Sequence, residues 1–216
     1  MNIIFFGNPL FSAKSLEHLN NMENINIKLV VTNIDKRMGR GLKPSITEVK
    51  KTAIKYSNEL LEVEDLKSDS FLDAIKKIKA DLFIVVGYRY LQERIYSGVK
   101  YGAINLHASL LPKYRGASPI QYAIMNGDNK TGLTTFYLNN KIDQGDLIYQ
   151  EECSINNRAT FEEVYFDLIR LSKKVLIKTI DIIISEENVK IKENKDPVPS
   201  YAPKIGKEDF IIDWSD

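Results

Sequence analysis

The chain has 216 residues, 44% of them hydrophobic and 27% charged, with a formal net charge of +1 and a single cysteine. That length can bury a full core in one domain, and the near-neutral charge excludes a surface given over wholly to nucleic acid, though not a local basic patch. Cys153 forms no intrachain disulfide, residues 1–7 are too short for a signal peptide, and no run approaches the roughly twenty apolar residues of a membrane helix, so a cytoplasmic protein without membrane contact is expected.

Short apolar runs alternate with helical patterns along the chain, which predicts βαβ units and a mostly parallel sheet. Residues 3–6 (IIFF) read as a buried strand ending at Gly7-Asn8-Pro9, followed by a helix with Phe11, Ala13, Leu16 and Leu19 on its apolar face. Residues 27–32 form the second strand, 35–43 a loop, and 47–56 a helix. A short edge strand is predicted at 60–63, a helix through Phe71, Ile75 and Ile78, and strands at 82–86 and 103–107. Pro112 stops the last of these, and Pro119 opens a helix through Met125. Residues 132–138 and 147–151 read as strands separated at Gly145. The longest helix spans 160–185, with Phe161, Val164, Leu168, Leu171, Val175 and Ile182 on or near one face. Beyond Glu186 the chain turns charged and passes Pro197, Pro199 and Pro203, which reads as an extended wrap or the start of a linker.

The stretch INLHASLLPKYRG, residues 104–116, carries the first chemical candidates. In a strand, residues two apart face the same way, so Asn105 and His107 project together from a strand's carboxyl end, where open α/β sheets bind ligands. An amide there can hydrogen-bond a developing oxyanion while an imidazole moves a proton. Spacing alone favours a plainer reading, a strand-end histidine satisfied by a backbone carbonyl. In NNKIDQGDL, residues 139–147, Asp143 and Asp146 flank Gly145, most simply as turn formers. A carboxylate from this loop that reached His107 would orient the imidazole. KRMGRGLK, residues 36–43, holds four cations around two glycines, either a phosphate grip or a solvated loop. Gly7 suits a close ligand approach at a helix N-terminus, but no G-x-G-x-x-G is present for a dinucleotide. Ser109 lacks the G-x-S-x-G elbow of a hydrolase, and His18 and Cys153 read as structural.

Taken together, NLHASLLPKYRGASPIQYAIMNGDNKTGLT (residues 105–134) and IDQGD (142–146) resemble the 10-formyltetrahydrofolate-dependent formyltransferases. FFGNPLFSAKSLEHL, DKRMGRG and YAPKIGKEDFIIDWS narrow the resemblance to the branch that formylates methionyl-tRNA. The resemblance implies the formyltransferase fold, α/β with a Rossmann-like, mostly parallel twisted sheet and helices on both faces. It implies Asn105, His107 and Asp143 as catalytic residues and 10-formyltetrahydrofolate as the formyl donor, without a metal. The donor pocket would involve Val86, Gly87, Tyr88, Arg89, Tyr90 and Leu91, the turn Ser109, Leu110, Leu111 and Pro112, and the stretch before Asp143. Initiator methionyl-tRNA would meet Arg40, with Gly39, Gly41 and Lys43 around it, and Gly7, Asn8 and Phe11 near the methionyl group. By the same resemblance residues 1–186 are the catalytic domain, and 187–216 an extended tail corresponding to the linker toward a C-terminal β-barrel domain missing here, as in either an excised catalytic domain or a naturally reduced enzyme. A monomer is expected, with weak tRNA binding when that barrel is absent. Two departures stand out: LNNKID replaces the commoner M-D-x-G-L-D before the aspartate, and Ile46-Thr47-Glu48 follow Pro44-Ser45 where a second proline is usual.

Rival readings share the fold. A sugar-nucleotide N-formyltransferase uses the same donor and trio but has no need of the basic loop. A formyltetrahydrofolate hydrolase replaces the amine with water. Retention of Asn105, His107 and Asp143 together argues against a non-catalytic folate- or tRNA-binding module, although a decayed module could keep the trio and fail to turn over.

Overall fold

A computed structural model of the chain describes residues 1–38, 43–185, 198–211 and 214. Seven strands form one sheet in the spatial order β5 (Leu60–Val63), β2 (Asn26–Asn33), β1 (Asn2–Gly7), β6 (Leu82–Val86), β7 (Ala103–His107), β8 (Lys130–Tyr137) and β9 (Leu147–Ser154). Pairing is parallel from β5 across to β7 and antiparallel for the last two pairs. The expected Rossmann-like sheet is therefore present, with its predicted edge strand at β5.

Helices cover both faces, which is why β6 is buried at all five positions instead of alternating. Ile3, Phe5, Ile84, Ile104 and Leu106 pack into one core with α1 (Leu10–Asn20), α2 (Glu48–Lys55), α5 (Pro119–Met125) and α6 (Phe161–Ser185). Ile4, Phe6, Phe83, Val85 and Ala103 pack into the other with α3 (Asp69–Lys76) and α4 (Glu93–Tyr96). Local chemistry starts these helices where the sequence supplies it. Thr47 and Ser68 accept the Lys50 and Phe71 N–H groups at the heads of α2 and α3. Thr160 and Glu163 form a reciprocal capping box on α6, and Pro119 opens α5 where no N–H is needed.

From β1 the sheet grows one way through β2 and β5, and the other way through β6 and β7. The order reverses beside β1, and crevices at such switch points open at the strands' carboxyl ends.

Three details depart from the sequence reading. The stretch 35–43, expected as a loop, instead contains β3 (Lys36–Met38) and the start of β4 (Lys43–Ser45), which pair as an antiparallel ribbon. Main-chain pairing holds this ribbon, and no apolar alternation announces it. Arg40, Gly39 and Gly41 lie outside the described residues, and Lys43 is described only in its main chain. The four-residue α4 is too short to show a period, although it buries Ile95 and Tyr96. Strands β8 and β9 run further than their apolar cores, because Lys130 still pairs with Ser154. The described tail bridges Arg115 through Tyr201 and turns once at Glu208–Phe210.

Candidate active site

Side chains alternate along β7, so Ile104 and Leu106 enter the first core while Asn105 and His107 face the other side of the sheet. Beyond Ala103 that side opens into a cleft of about 660 Å3. Asn105 lines it, and its amide has no hydrogen-bond partner among the described residues.

His107 is only 6% exposed and held from both ends. Its Nε2 lies 2.8 Å from the Tyr114 carbonyl oxygen. A carbonyl can only accept, so Nε2 carries a hydrogen and Nδ1 holds the lone pair of the neutral ring. Nδ1 faces Asp143 Oδ2 at 3.8 Å, too far for a direct hydrogen bond but close enough for a charge on the ring to meet the carboxylate. The same oxygen accepts the Gly116 N–H at 2.8 Å. One nitrogen is thus satisfied by a backbone carbonyl, and the other is turned toward a carboxylate.

Three residues around this pair have left-handed backbones: Tyr114 at φ 59°, Gly116 at 125° and Asp143 at 51°. For a tyrosine that conformation costs on the order of 1–2 kcal/mol, and surrounding contacts must offset it. The Tyr114 hydroxyl donates to Asp128 at 2.7 Å and accepts from Asn126 at 3.0 Å, and burial pushes its phenol up. Gly145 closes the Asp143 loop against β8, where an added Cβ would lie 1.6 Å from the Tyr137 carbonyl oxygen.

Most of the expected donor loop lines the cleft: Gly87, Tyr88, Arg89, Tyr90 and Leu91 form one wall. Gly87 turns with φ 53°, and a Cβ there would meet Pro9 Cγ at 2.8 Å. The Arg89 guanidinium donates to the Val63 and Glu64 carbonyl oxygens at 2.7 and 2.6 Å, which pins the wall to the edge strand. Leu138, Asn139, Lys141 and Ile142, the stretch before Asp143, form another wall, and Phe11 stands at the start of α1.

Other expected residues lie behind the surface. Val86 is fully buried, and its carbonyl accepts the Ser12 hydroxyl. Ser109, Leu110, Leu111 and Pro112 are not among the residues lining this cleft, and Leu110 lines a separate one with Lys113 and Tyr114. Ser109 Oγ donates to the Lys113 carbonyl at 2.6 Å, and Thr134 Oγ1 bridges the Ser109 carbonyl at 2.6 Å and the Leu111 N–H at 3.1 Å. Gly7 and Asn8 are also absent from the wall. A Cβ on Gly7 would strike Ser12 Cβ at 2.6 Å, and Asn8 Oδ1 accepts from Thr32 and Asn33 to tie the ends of β1 and β2 together.

The structure adds residues the sequence did not suggest. Gly116, Ala117 and Gln121 line the cleft from the loop and helix after β7, and Phe161 and Tyr165 reach it from α6. The Tyr165 hydroxyl accepts the Phe11 N–H at 2.9 Å, one of the donors left free at the start of a helix. Along α6 these aromatics fit a core stripe, so no local signal marks them as cleft residues. Among the described residues, no group of three or more His, Cys, Asp or Glu could hold a metal ion, and no helix is long and apolar enough to cross a membrane.

Comparison with known proteins gives this geometry a family. Residues 1–180 match the formyl transferase family model. A methionyl-tRNA formyltransferase of Porphyromonas gingivalis is 40% identical over 220 residues, an alignment covering 99% of this chain and 67% of that protein. One from Halothermothrix orenii is 39% identical, covering 100% of this chain and 68% of that protein. Among solved structures, a phosphoribosylglycinamide formyltransferase from Bacillus halodurans superposes with a TM-score of 0.72 at 20% identity, over 88% of this chain and 98% of that one. An N-formyltransferase from Helicobacter canadensis, in complex with folinic acid and dTDP-3-aminofucose, superposes with a TM-score of 0.67 at 22% identity, over 97% of this chain and 72% of that one. At those identities the structural likenesses establish the fold. The family model and the relatives at 39–40% identity establish more: the chain belongs to the formyl transferase family, within the methionyl-tRNA formyltransferases.

Proposed function

We propose that this chain transfers the formyl group of 10-formyltetrahydrofolate to the amino group of initiator methionyl-tRNA, working as a monomer in the cytoplasm, with Asn105, His107 and Asp143 carrying the chemistry. The observation behind this reading is the meeting of three groups at one cleft floor: an unpartnered Asn105 amide, an imidazole with Nδ1 available, and a carboxylate 3.8 Å from that nitrogen. The cleft suits a folate donor, because Tyr88, Leu91 and Ile120 give it an aromatic ring and apolar walls around about 660 Å3, within the roughly 300–1,000 Å3 of small-molecule sites.

When bound, the donor supplies a formyl carbon on a nitrogen able to leave. Asn105 donates an N–H to the formyl oxygen as negative charge builds there, a role worth about a hundredfold to a thousandfold in rate. His107 accepts the amine proton at Nδ1, worth about a hundredfold or more. Asp143 faces that proton and offsets the ring's charge, while the Tyr114 carbonyl and Gly116 N–H hold both partners in line. The amine nitrogen bonds to the formyl carbon, that carbon's bond to the folate nitrogen breaks, and the amine's proton passes to the departing nitrogen. On the acceptor side, Phe11 lines the cleft at the start of α1, and the basic segment carrying Arg40 and Lys43 is proposed to meet the tRNA phosphates.

The test is a formyl-transfer assay with 10-formyltetrahydrofolate and charged initiator tRNA, run beside amino-sugar nucleotides and a control without acceptor. Formylmethionyl-tRNA is the expected product. Transfer only to the sugar nucleotide, or formate released only without an acceptor, would overturn the assignment.

A further inference from the structure

Residues 200–205 run beside the loop that follows β7 and bond to it repeatedly. The Tyr114 N–H donates to the Ser200 hydroxyl at 2.9 Å, and the Arg115 N–H donates to the Ser200 carbonyl at 2.9 Å. The Ala202 N–H returns a bond to the Arg115 carbonyl at 2.8 Å, and the Ser118 N–H reaches the Ala202 carbonyl at 3.1 Å. Contact is close enough that a Cβ on Gly116 would lie 2.5 Å from the Ala202 carbonyl oxygen. Ala202 is fully buried in the core that also holds Tyr114 and Ile120, while its neighbour Tyr201 is exposed. The segment is therefore anchored by the buried Ala202 side chain and the Ser200 hydroxyl, and otherwise attached through its main chain.

What it ties down is the turn that holds His107 and Asp143. Over three residues the main-chain groups divide between two tasks. The Tyr114 N–H, Arg115 N–H and Arg115 carbonyl go to residues 200–202, while the Tyr114 carbonyl goes to His107 and the Gly116 N–H to Asp143. Tyr114 and Gly116 both have left-handed backbones, so this turn belongs to no helix or ladder that would set its direction. The bonds from residues 200–202 take that role.

We propose that residues 200–205 are a positioning strap for the formyl-transfer site, with Ser200 and Ala202 as its working residues. They fix the two main-chain groups that orient His107 and Asp143, without touching the reacting atoms. The inference rests on the catalytic roles proposed above for His107 and Asp143.

The test uses three variants of the 216-residue chain. Ser200→Ala removes the hydroxyl that accepts from Tyr114, Ser200→Thr keeps it, and Ala202→Val adds bulk where the core has no room. Each is assayed for kcat and for KM toward 10-formyltetrahydrofolate and methionyl-tRNA, and its histidine rings are followed by 15N–1H NMR. The chain has two histidines, so His18 in α1 serves as the internal reference. Because small misplacements of catalytic groups cost large factors in rate, Ser200→Ala and Ala202→Val are expected to lower kcat about tenfold or more. Donor KM should stay within about twofold, since the interaction lost is one that matters in the transition state. Exchange of the His107 Nε2–H should quicken while the His18 signal holds, and Ser200→Thr should restore both rate and signal. An unchanged kcat together with an unchanged His107 signal in Ser200→Ala and Ala202→Val would overturn the strap. A raised KM at unchanged kcat would overturn it too, by moving the segment into substrate binding. If His107→Asn kept wild-type kcat, the catalytic reading would fall, and the ring signal in Ser200→Ala would still decide whether the strap orients His107.

Discussion

Asp143 does two things that one pair of substitutions separates. Its backbone sits at φ 51°, a region that Asn and Asp enter more readily than other residues with a Cβ. Its Oδ2 both accepts the Gly116 N–H at 2.8 Å and faces His107 Nδ1 at 3.8 Å. Asp143→Asn keeps the backbone preference and, through its amide oxygen, the bond to Gly116, so it deletes little beyond the negative charge. A neutral acceptor in place of a charged one should cost about 0.5 kcal/mol here, or about 1–2 °C in Tm for a chain of this size. The rate should fall far more, about a hundredfold or beyond in kcat, because the protonated imidazole loses its counter-charge. Asp143→Ala loses the charge and two further supports. The Gly116 N–H loses its acceptor, costing about 1–2 kcal/mol for a partly buried donor, and alanine in the left-handed region costs about 1 kcal/mol more. The sum of about 2–3 kcal/mol corresponds to about 4–12 °C in Tm. Thermal melts and initial-rate transfer assays on both variants read these quantities separately. An Asn variant retaining more than about a third of wild-type kcat would refute the charge argument. Equal melting of the two variants would refute the backbone argument.

The remaining predictions concern neighbouring groups. Asn105→Ala should lower kcat by about a hundredfold or more in the transfer assay with little change in Tm, because the amide bonds to nothing among the described residues. Thr134→Val removes a fully buried hydroxyl that bonds the Ser109 carbonyl at 2.6 Å, the Leu111 N–H at 3.1 Å and Gln150 at 2.9 Å. Urea unfolding should show a loss of about 2–4 kcal/mol, and a loss below about 1 kcal/mol would contradict the supporting role of these bonds. Burial holds the His18 imidazole below its ordinary 6.5, and its Nε2 has no hydrogen-bond partner among the described residues. The folded state thus favours the neutral ring, and its contribution to stability is present above the unfolded pKa and lost as the pH falls below it. An NMR titration should place the His18 midpoint under that of an exposed imidazole, and His18→Gln should flatten the loss of stability on acidification.

Where one local period governs the backbone, the sequence reading and the structure agree. The run LFIVV of β6 reads as a strand because helices cover both of its faces, and all five residues are apolar. Helix α6 reads clearly because its apolar stripe persists over 25 residues. The ribbon of β3 and β4 and the short α4 escape such reading, since main-chain pairing and one helical turn leave no pattern in side-chain polarity. Ser109 to Pro112 look like a binding turn by resemblance, and the bonds that the Ser109 and Leu111 backbones make to Thr134 and Gln150 on the neighbouring strands β8 and β9 leave no mark in the sequence.

The candidate site divides in the same way. Asn105 and His107 are legible as a pair because two residues in a strand share a face, and a family resemblance links Asp143 to them. Strand periodicity is a local property of the backbone, so the order of elements and the kinds of group at the end of β7 are written in the sequence. Which nitrogen of His107 is free is not. That depends on the Tyr114 carbonyl and the Asp143 carboxylate arriving on opposite sides of the ring through left-handed turns. Those turns are held partly by Ser200, 86 residues along the chain from Tyr114. Only the tertiary structure decides such a matter, because the direction of an irregular turn comes from what it packs and bonds against rather than from any preference of its own residues.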